Sequence, residues 1–248
     1  MSFSLVPGFS QRYPRDPDEA PVADEAPVAQ SEVERTMTAS QGSRTVLIES
    51  CCTSLEESVA AQARGAGRIE LCADLSVGGL TPPRDLIRDV IAALTIPVNI
   101  LIRPSAPDFV CGEEDLQQMI EDIGYCKSVG AAGIVVGALT PEGAIDLPAM
   151  RRLVAASHPL PVTFHRAFDV CAEDPFTALD KIIALGCVRL LSSGQAATAW
   201  DGRCLLALLV RRAGSRLVVM PGCGITPEIL PGLAAVTRAS EYHGTRLP

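Results

Sequence analysis

The sequence predicts an α/β fold, a (β/α)8 TIM barrel whose last helix is missing, preceded by a disordered N-terminal extension. Eight apolar runs rich in β-branched residues alternate with seven amphipathic segments of helical spacing, at intervals of about 27 residues. No Gly-x-Gly-x-x-Gly follows the first run, which argues against an open dinucleotide-binding sheet. At 248 residues, the chain is long enough for one such barrel and a tail.

The first 44 residues are rich in proline, serine and acidic side chains, and they repeat Glu-Ala-Pro-Val-Ala at positions 19–23 and 25–29. They show no periodic apolar face, so burial cannot offset the entropy of ordering them. We therefore predict two parts: a disordered, acidic, Pro-rich extension over residues 1–44 and a barrel over residues 45–248.

The strands are predicted at residues 45–51, 68–72, 98–103, 133–137, 162–166, 188–192, 217–220 and 239–243, and the helices at residues 54–64, 83–93, 113–129, 147–156, 174–185, 200–213 and 226–235. Four helix starts carry a capping residue, Ser54, Thr81, Asp174 and Thr226, and the last three of these precede proline. Too few residues follow the eighth strand for another helix. We expect the chain to be shortened there, or the exposed groove to be covered by a partner or by the N-terminal segment.

Composition excludes several classes of function. The net charge of −8 argues against a protein that binds nucleic acid through its phosphates. No run of eighteen apolar residues is present, so we predict no membrane span. Nine cysteines without a secretory signal fit reduced thiols in the cytosol better than a disulfide scaffold.

The first two predicted strands end on the same pattern, Glu-x-Cys. Alternate side chains of a strand share a face, so Glu49 lies beside Cys51 and Glu70 beside Cys72. Adjacent strands are about 4.8 Å apart, which lets both thiols reach one ion. Because thiolates are soft ligands suited to Cu(I), we predict Cys51 and Cys72 as metal ligands. The alternative is that both are small buried hydrophobes.

The other strand ends, where TIM barrels place their chemistry, carry charged and small residues. The acid/base candidates are Glu49, Glu70, His165 and Glu241, and the ligand-binding candidates are Arg103, Arg166, Asp169, Ser193, Gly194, Gly222 and Gly224. His243 also lies at the end of the eighth strand, but we assign it no role.

These candidates have two interpretations. As a structural set, the carboxylates form a buried ion-pair network with Arg103 and Arg166, and His165 is a core histidine. As a functional set, they suit an enzyme that acts on a small phosphorylated or carboxylated metabolite. Both lysines, Lys127 and Lys181, fall on predicted helices, which argues against a Schiff-base aldolase.

The motifs together resemble the CutC family of copper-homeostasis proteins. The resemblance rests on Glu49-x-Cys51, Arg68-Ile-Glu70-Leu-Cys72, Gly78-Gly79-Leu80-Thr81-Pro82, Ile102-Arg103-Pro104, Phe109, Gly137-Ala-Leu-Thr140, Asp146, Val162-Thr-Phe-His165-Arg166-Ala-Phe168-Asp169, Ser193-Gly194 and Met220-Pro-Gly222-x-Gly224-Ile225-Thr226. It runs in order over nearly all of the barrel. Residues 137–140 and 218–222 look closer to the animal members than to the bacterial ones.

The resemblance implies a TIM barrel, a cytoplasmic location with the nucleus as a second compartment, and self-association as a dimer or tetramer. It also implies a link to copper through Cu(I) binding, and it identifies no particular catalysed reaction. Two features depart from the family pattern: the long acidic N-terminal tail, and an end that reads Gly244-Thr-Arg246 where a Ser-Ala-Arg segment and a final helix are expected.

Overall fold

A computed structural model of the chain describes residues 46–106, 108–245 and 247. The extension predicted over residues 1–44 lies outside the described residues. Over the rest of the chain, the predicted alternation of strands and helices is confirmed, because eight parallel strands form one sheet that curls into a nearly closed barrel.

The elements are close to the predicted ones. The strands are β1 (Leu47–Cys52), β2 (Arg68–Leu71), β3 (Val98–Leu101), β4 (Gly133–Val136), β5 (Val162–Phe164), β6 (Arg189–Ser192), β7 (Val218–Pro221) and β8 (Glu241–Gly244). The helices are α1 (Leu55–Arg64), α2 (Arg84–Ala93), α3 (Glu113–Ser128), α4 (Leu147–Ser157), α5 (Pro175–Ala184), α6 (Arg203–Ala213) and α7 (Leu230–Thr237). Within the described ranges no helix follows β8, as predicted, and none of the helices has the length and apolarity that a bilayer crossing requires.

The order of the strands brings β8, β1 and β2 together. Each strand from β1 to β6 pairs with the next one along the chain, and β8 pairs with the free side of β1. The register sets Cys51 opposite Glu70 and Glu49 opposite His243. In the described part of the chain, β7 and β8 meet only at a single parallel bridge, between Gly222 and His243. The ends of the first, second and eighth strands therefore share one edge of the barrel mouth.

Side-chain alternation divides the apolar residues into two layers. The main core packs the outer face of the strands against the helices and includes Cys52. A separate cluster of Cys51, Cys72, Leu101 and Val135 fills the upper part of the barrel interior. The Glu-x-Cys side chains therefore face inward, as the period of two predicts, while Cys52 faces the helices.

Two of the four predicted helix caps are confirmed. The side chains of Ser54 and Asp174 accept backbone N–H bonds at the starts of α1 and α5. Thr81 is wrong as a cap, because α2 begins three residues later, after two prolines, and the Thr81 hydroxyl instead accepts the N–H of Arg103 at 2.8 Å. Thr226 is also wrong, because a turn over residues 227–229 precedes α7.

Gly202, at the start of α6, packs directly against the loop after β6. A Cβ on Gly202 would lie 1.9 Å from the carbonyl oxygen of Ser193 and 2.9 Å from the Cα of Gly194. Because both are backbone atoms and cannot rotate away, we expect Gly202→Ala to lower the free energy of unfolding by about 1–3 kcal/mol or more. Equilibrium urea denaturation measures this change.

Gly124→Ala is the matched control for this substitution. Gly124 lies inside α3, and a methyl group added there would meet no packing neighbour within 4 Å. Alanine also favours a helix by about 1 kcal/mol over glycine, so we expect this variant to be as stable as the wild type or more stable. Equal stability of the two glycine variants would contradict the close approach of the β6 loop to α6.

Candidate functional site

A cavity of about 670 Å³ opens at the C-terminal ends of the strands, where TIM barrels place their functional groups. Among the predicted site residues, its lining includes Cys51, Glu70, Cys72, Arg103, His165, Arg166, Asp169 and Gly224. The predicted residues Glu49, Ser193, Gly194, Gly222 and Glu241 are not part of the lining. The structure therefore brings together more than half of the predicted set.

The two predicted thiol ligands lie side by side. The Sγ atoms of Cys51 and Cys72 are 3.3 Å apart, and both side chains are buried. The contact with Cys72, burial and the negative charge of Glu70 together raise the pKa of the Cys51 thiol well above its ordinary value. Without a metal ion, Cys51 is therefore a protonated and poorly reactive thiol.

His243 lies next to the thiols and is held by two carboxyl groups. Its Nδ1 is 2.9 Å from Glu49 Oε1 and 3.6 Å from Glu70 Oε2. One ligand atom from each of Cys51, Glu70 and His243 lies within 4.8 Å of the other two. With Cys72, these residues form a compact group of two soft thiol donors, one borderline imidazole and one hard carboxylate that could hold a metal ion.

The three ionisable groups beside the thiols have displaced pKa values. Burial raises the pKa of Glu70 to about 7, although the charge of His243 opposes the change. Burial also acts to raise the pKa of Glu49, but His243 and Arg68 outweigh it and lower that pKa to about 2. For His243, burial acts to lower the pKa, and the charges of Glu70 and Glu49 raise it overall.

Arg68 stands at the centre of a buried charge network in the barrel interior. Its guanidinium donates to Glu49 through Nε and to Glu241 through Nη2. Arg189 Nε donates to the same oxygen of Glu241 at 2.7 Å, and Asn99 Nδ2 donates to Glu49 at 3.2 Å. Glu241 is therefore part of the ion-pair network below the mouth. Its predicted acid/base role stays a prediction.

The structural interpretation with Arg103 and Arg166 as partners of the buried carboxylates is wrong. Arg103 donates to the carbonyl oxygens of Val77 and Gly79, at 2.8 and 3.0 Å. Arg166 donates to Asp169 at 2.9 Å. Arg103 and Arg166 come two residues after the ends of β3 and β5, and they line the cavity at the mouth. The carboxylates of Glu49 and Glu241 belong to strands and point into the barrel, where they meet side chains of other strand residues.

Asp169 holds the loop after β6. Its carboxylate accepts the hydroxyl of Ser192 at 2.6 Å, the N–H and hydroxyl of Ser193, and the N–H of Gln195 at 3.2 Å. The N–H of Gly194 donates to the Ser192 hydroxyl at 2.8 Å. The predicted ligand-binding residues of this loop therefore have their polar groups bonded within the protein.

His165 lines the cavity as a neutral imidazole. Burial, helped by the positive charges of Arg103 and Arg166, lowers its pKa to about 3. Its Nδ1 accepts the N–H of Ala167 at 3.2 Å, so the ring proton is on Nε2. Among the described residues this buried Nε2 has no hydrogen-bond partner. Whether His165 acts in chemistry stays a prediction.

Four polar residues of the interior were not among the predicted site residues: Arg68, Asn99, Arg189 and His243. The alternation of side chains along a strand could have predicted that two of them face inward, because Arg68 lies two residues before Glu70, and His243 two residues after Glu241. Arg189 and Asn99 carry no such signal, because the carboxylates that they meet come from strands distant in sequence.

Removing Arg68 tests the network. Arg68→Met leaves the carboxylates of Glu49 and Glu241 without their shared partner, so we expect the free energy of unfolding to fall by about 3–5 kcal/mol. Arg152→Met is the control, because the Arg152–Glu113 pair is exposed, with 43% and 74% of the side chains accessible, and solvent-exposed pairs contribute little to stability. Urea denaturation at neutral pH compares them, and equal losses would contradict the network.

The raised pKa of Glu70 predicts how the free energy of unfolding depends on pH. Its ordinary pKa is 4.5 and its folded pKa is about 7, so between these values the folded state binds more protons than the unfolded state. The free energy of unfolding should therefore fall as the pH rises through this interval. The raised pKa of His243 acts in the same direction from its ordinary value of 6.5 upward.

In Glu70→Gln the decline in stability between about pH 5 and pH 8 should be smaller than in the wild type, because the titrating carboxyl group is gone. Urea denaturation at several pH values measures the slope. Glu114→Gln, which removes an exposed carboxylate of α3, should keep the slope of the wild type. An unchanged slope in Glu70→Gln would show that Glu70 titrates normally in the folded protein.

Comparison with known proteins shows the family to which this chain is similar. The family model described as CutC family matches residues 46–247. A family protein CutC from Parabacteroides distasonis is 47% identical over 198 residues, covering 79% of this chain and 81% of that protein. A family protein CutC from Histophilus somni is 43% identical over 196 residues, covering 79% and 80%. The closer likeness to animal members stays a prediction.

Solved structures agree. A Streptococcus agalactiae protein that carries the name copper homeostasis protein CutC matches with a TM-score of 0.79 at 32% identity, covering 82% of this chain and 100% of that chain. An aldolase matches with a TM-score of 0.62 at 11% identity, which shows the barrel fold alone. Because the family match spans the whole described barrel and the relatives share it at high identity, this chain belongs to the CutC family.

Proposed function

We propose that this protein takes part in copper homeostasis by binding Cu(I) through the thiolates of Cys51 and Cys72. The observation that carries the proposal is the pair of sulfur atoms 3.3 Å apart at the wall of the barrel cavity. Soft thiolates favour Cu(I) over harder ions. The name of the Streptococcus agalactiae relative supports copper as the metal.

The geometry of the thiol pair suits a shared ion after a small adjustment. With metal–sulfur bonds of about 2.3 Å, two thiolates on one ion lie about 3.8 Å apart in a tetrahedral arrangement and about 4.6 Å apart in a linear one. The present separation of 3.3 Å is that of two thiols in contact. The sulfur atoms therefore need to separate by about 0.5 Å for the tetrahedral arrangement or about 1.3 Å for the linear one, which side-chain rotation can supply.

Neighbouring groups support a bound cation. Loss of the two thiol protons creates two negative charges in a buried place, and the ion offsets one of them. His243 could provide a nitrogen ligand, because Glu49 binds its Nδ1 and so orients the ring. The same donors could hold Zn²⁺, which prefers four ligands, and competition between the two metals separates these cases.

We also propose that the protein works in a reducing compartment. All nine cysteines are free thiols, which supports a cytoplasmic location. Self-association into a dimer or tetramer and a second location in the nucleus stay predictions.

Competition with a chromophoric Cu(I) chelator under reducing conditions tests the ligands. We expect Cys51→Ser/Cys72→Ser to bind Cu(I) at least about 100-fold more weakly than the wild type, because loss of a ligand costs more than the 10- to 100-fold typical of outer-shell changes. An equimolar amount of Zn²⁺ should leave Cu(I) bound to the wild type.

The control is Cys126→Ser/Cys187→Ser, which removes two buried thiols that pack outside the barrel interior. This variant should bind Cu(I) like the wild type. Circular dichroism of each variant shows whether it is folded. Wild-type affinity in the folded Cys51/Cys72 double variant, or displacement of Cu(I) by Zn²⁺, would overturn the assignment.

A further inference from the structure

The cavity is much larger than a metal ion requires. Its volume of about 670 Å³ lies in the range of about 300–1,000 Å³ that is usual for small-molecule sites. The proposed copper ligands Cys51 and Cys72 are only two of its lining residues. Another part of the lining is cationic and aromatic, with Arg103, Phe109, His165 and Arg166.

The guanidinium of Arg166 is held in place but remains accessible. It donates through Nε to Asp169 at 2.9 Å and through Nη2 to the hydroxyl of Ser193 at 3.5 Å, and 42% of its side chain is exposed. Within the described part of the chain, its Nη1 has no hydrogen-bond partner. A fixed guanidinium with outward N–H groups is a good donor for a planar anion.

His165 adds a second unused donor beside Arg166. As a neutral imidazole, it carries its proton on Nε2, which is buried and lacks a partner among the described residues. A buried N–H without an acceptor costs free energy. An oxygen atom of a ligand would satisfy it. The ring also lies against Phe109, with centroids 5.0 Å apart, which limits the rotation of the imidazole.

We propose that this part of the cavity binds a small organic carboxylate, with the carboxylate group on Arg166 and a ligand oxygen accepting the Nε2–H of His165. Phe109 and the guanidinium of Arg103, whose Cζ lies 4.6 Å from the Phe109 ring centroid, form the adjoining wall. The proposal goes beyond copper binding and does not depend on it.

On the Arg166 side of the cavity, the backbone N–H groups of the loop after β6 are already bonded. Those of Ser193, Gly194 and Gln195 donate to Asp169 and Ser192, and that of Gly222 donates to the Ser192 carbonyl. Phosphate sites rely on such loop N–H groups. Side-chain donors therefore dominate the wall around Arg166, where a planar guanidinium matches a planar carboxylate bidentately.

Titration calorimetry on the metal-free, reduced, full-length chain tests the proposal, with pyruvate, 2-oxoglutarate, citrate and inorganic phosphate as probes. We expect at least one carboxylate to bind with a Kd of about 1 mM or tighter, and phosphate to bind at least about 10-fold more weakly. The chain has only three histidines, so ¹⁵N NMR can follow each imidazole. Saturation with the carboxylate should shift the His165 Nε2 signal.

Arg166→Lys keeps the positive charge but loses the planar fork, so it should bind the carboxylate at least about 10-fold more weakly than the wild type. Arg152→Lys is the matched control, because Arg152 is also paired with a carboxylate and has 43% of its side chain exposed. It should bind like the wild type.

Three results would overturn the proposal. The first is no binding of any carboxylate at about 10 mM. The second is phosphate binding as tight as that of the best carboxylate, which would make this a general anion site. The third is wild-type affinity in Arg166→Lys, or an unmoved His165 signal at saturation. Because all measurements use metal-free protein, they are separate from the outcome for Cu(I).

Discussion

The barrel interior depends on one buried guanidinium, that of Arg68, which Glu49 and Glu241 share. Each of these carboxylates would be very unfavourable in a dry interior without a cation. With Arg189 on Glu241 and His243 on Glu49, acidic and basic groups alternate from the lower part of the barrel to its mouth. The interior therefore contains a balanced polar column where many barrels have only apolar layers.

The column determines the chemistry of the mouth. Because Arg68 helps to keep the pKa of Glu49 near 2, Glu49 is a permanent anion that binds Nδ1 of His243. Glu70 has no guanidinium partner among the described residues, and burial raises its pKa to about 7. Two carboxyl groups on adjacent strands thus differ in their titration, one permanently charged and one that titrates near neutral pH, beside the same imidazole and the same thiols.

The period of two made the inward-facing Glu-x-Cys residues predictable, and the spacing of strands and helices made the barrel predictable. The partners of the carboxylates were not predictable in the same way. Like the carboxylates, Arg103 and Arg166 occur near the ends of predicted strands. In the structure, however, each comes two residues after its strand ends, and its side chain lies at the mouth. Arg189 meets Glu241 across the barrel, and that contact depends on closure of the sheet, which no local pattern expresses.

Glycine residues of the late loops illustrate the same difference between pattern and role. Glycine loops after the seventh and eighth strands are typical of phosphate binding in this fold, yet a Cβ on Gly222 would lie 2.5 Å from a side-chain atom of Leu191. In the loop after β6, a Cβ on Gly194 would lie 2.5 Å from the Gly202 carbonyl oxygen. These glycines permit close packing. Asp169 accepts hydrogen bonds from the N–H groups of Ser193 and Gln195, on either side of Gly194. The side chains that line the mouth include thiols, guanidinium groups and an imidazole, and by their chemistry these groups suit soft cations and planar anions respectively.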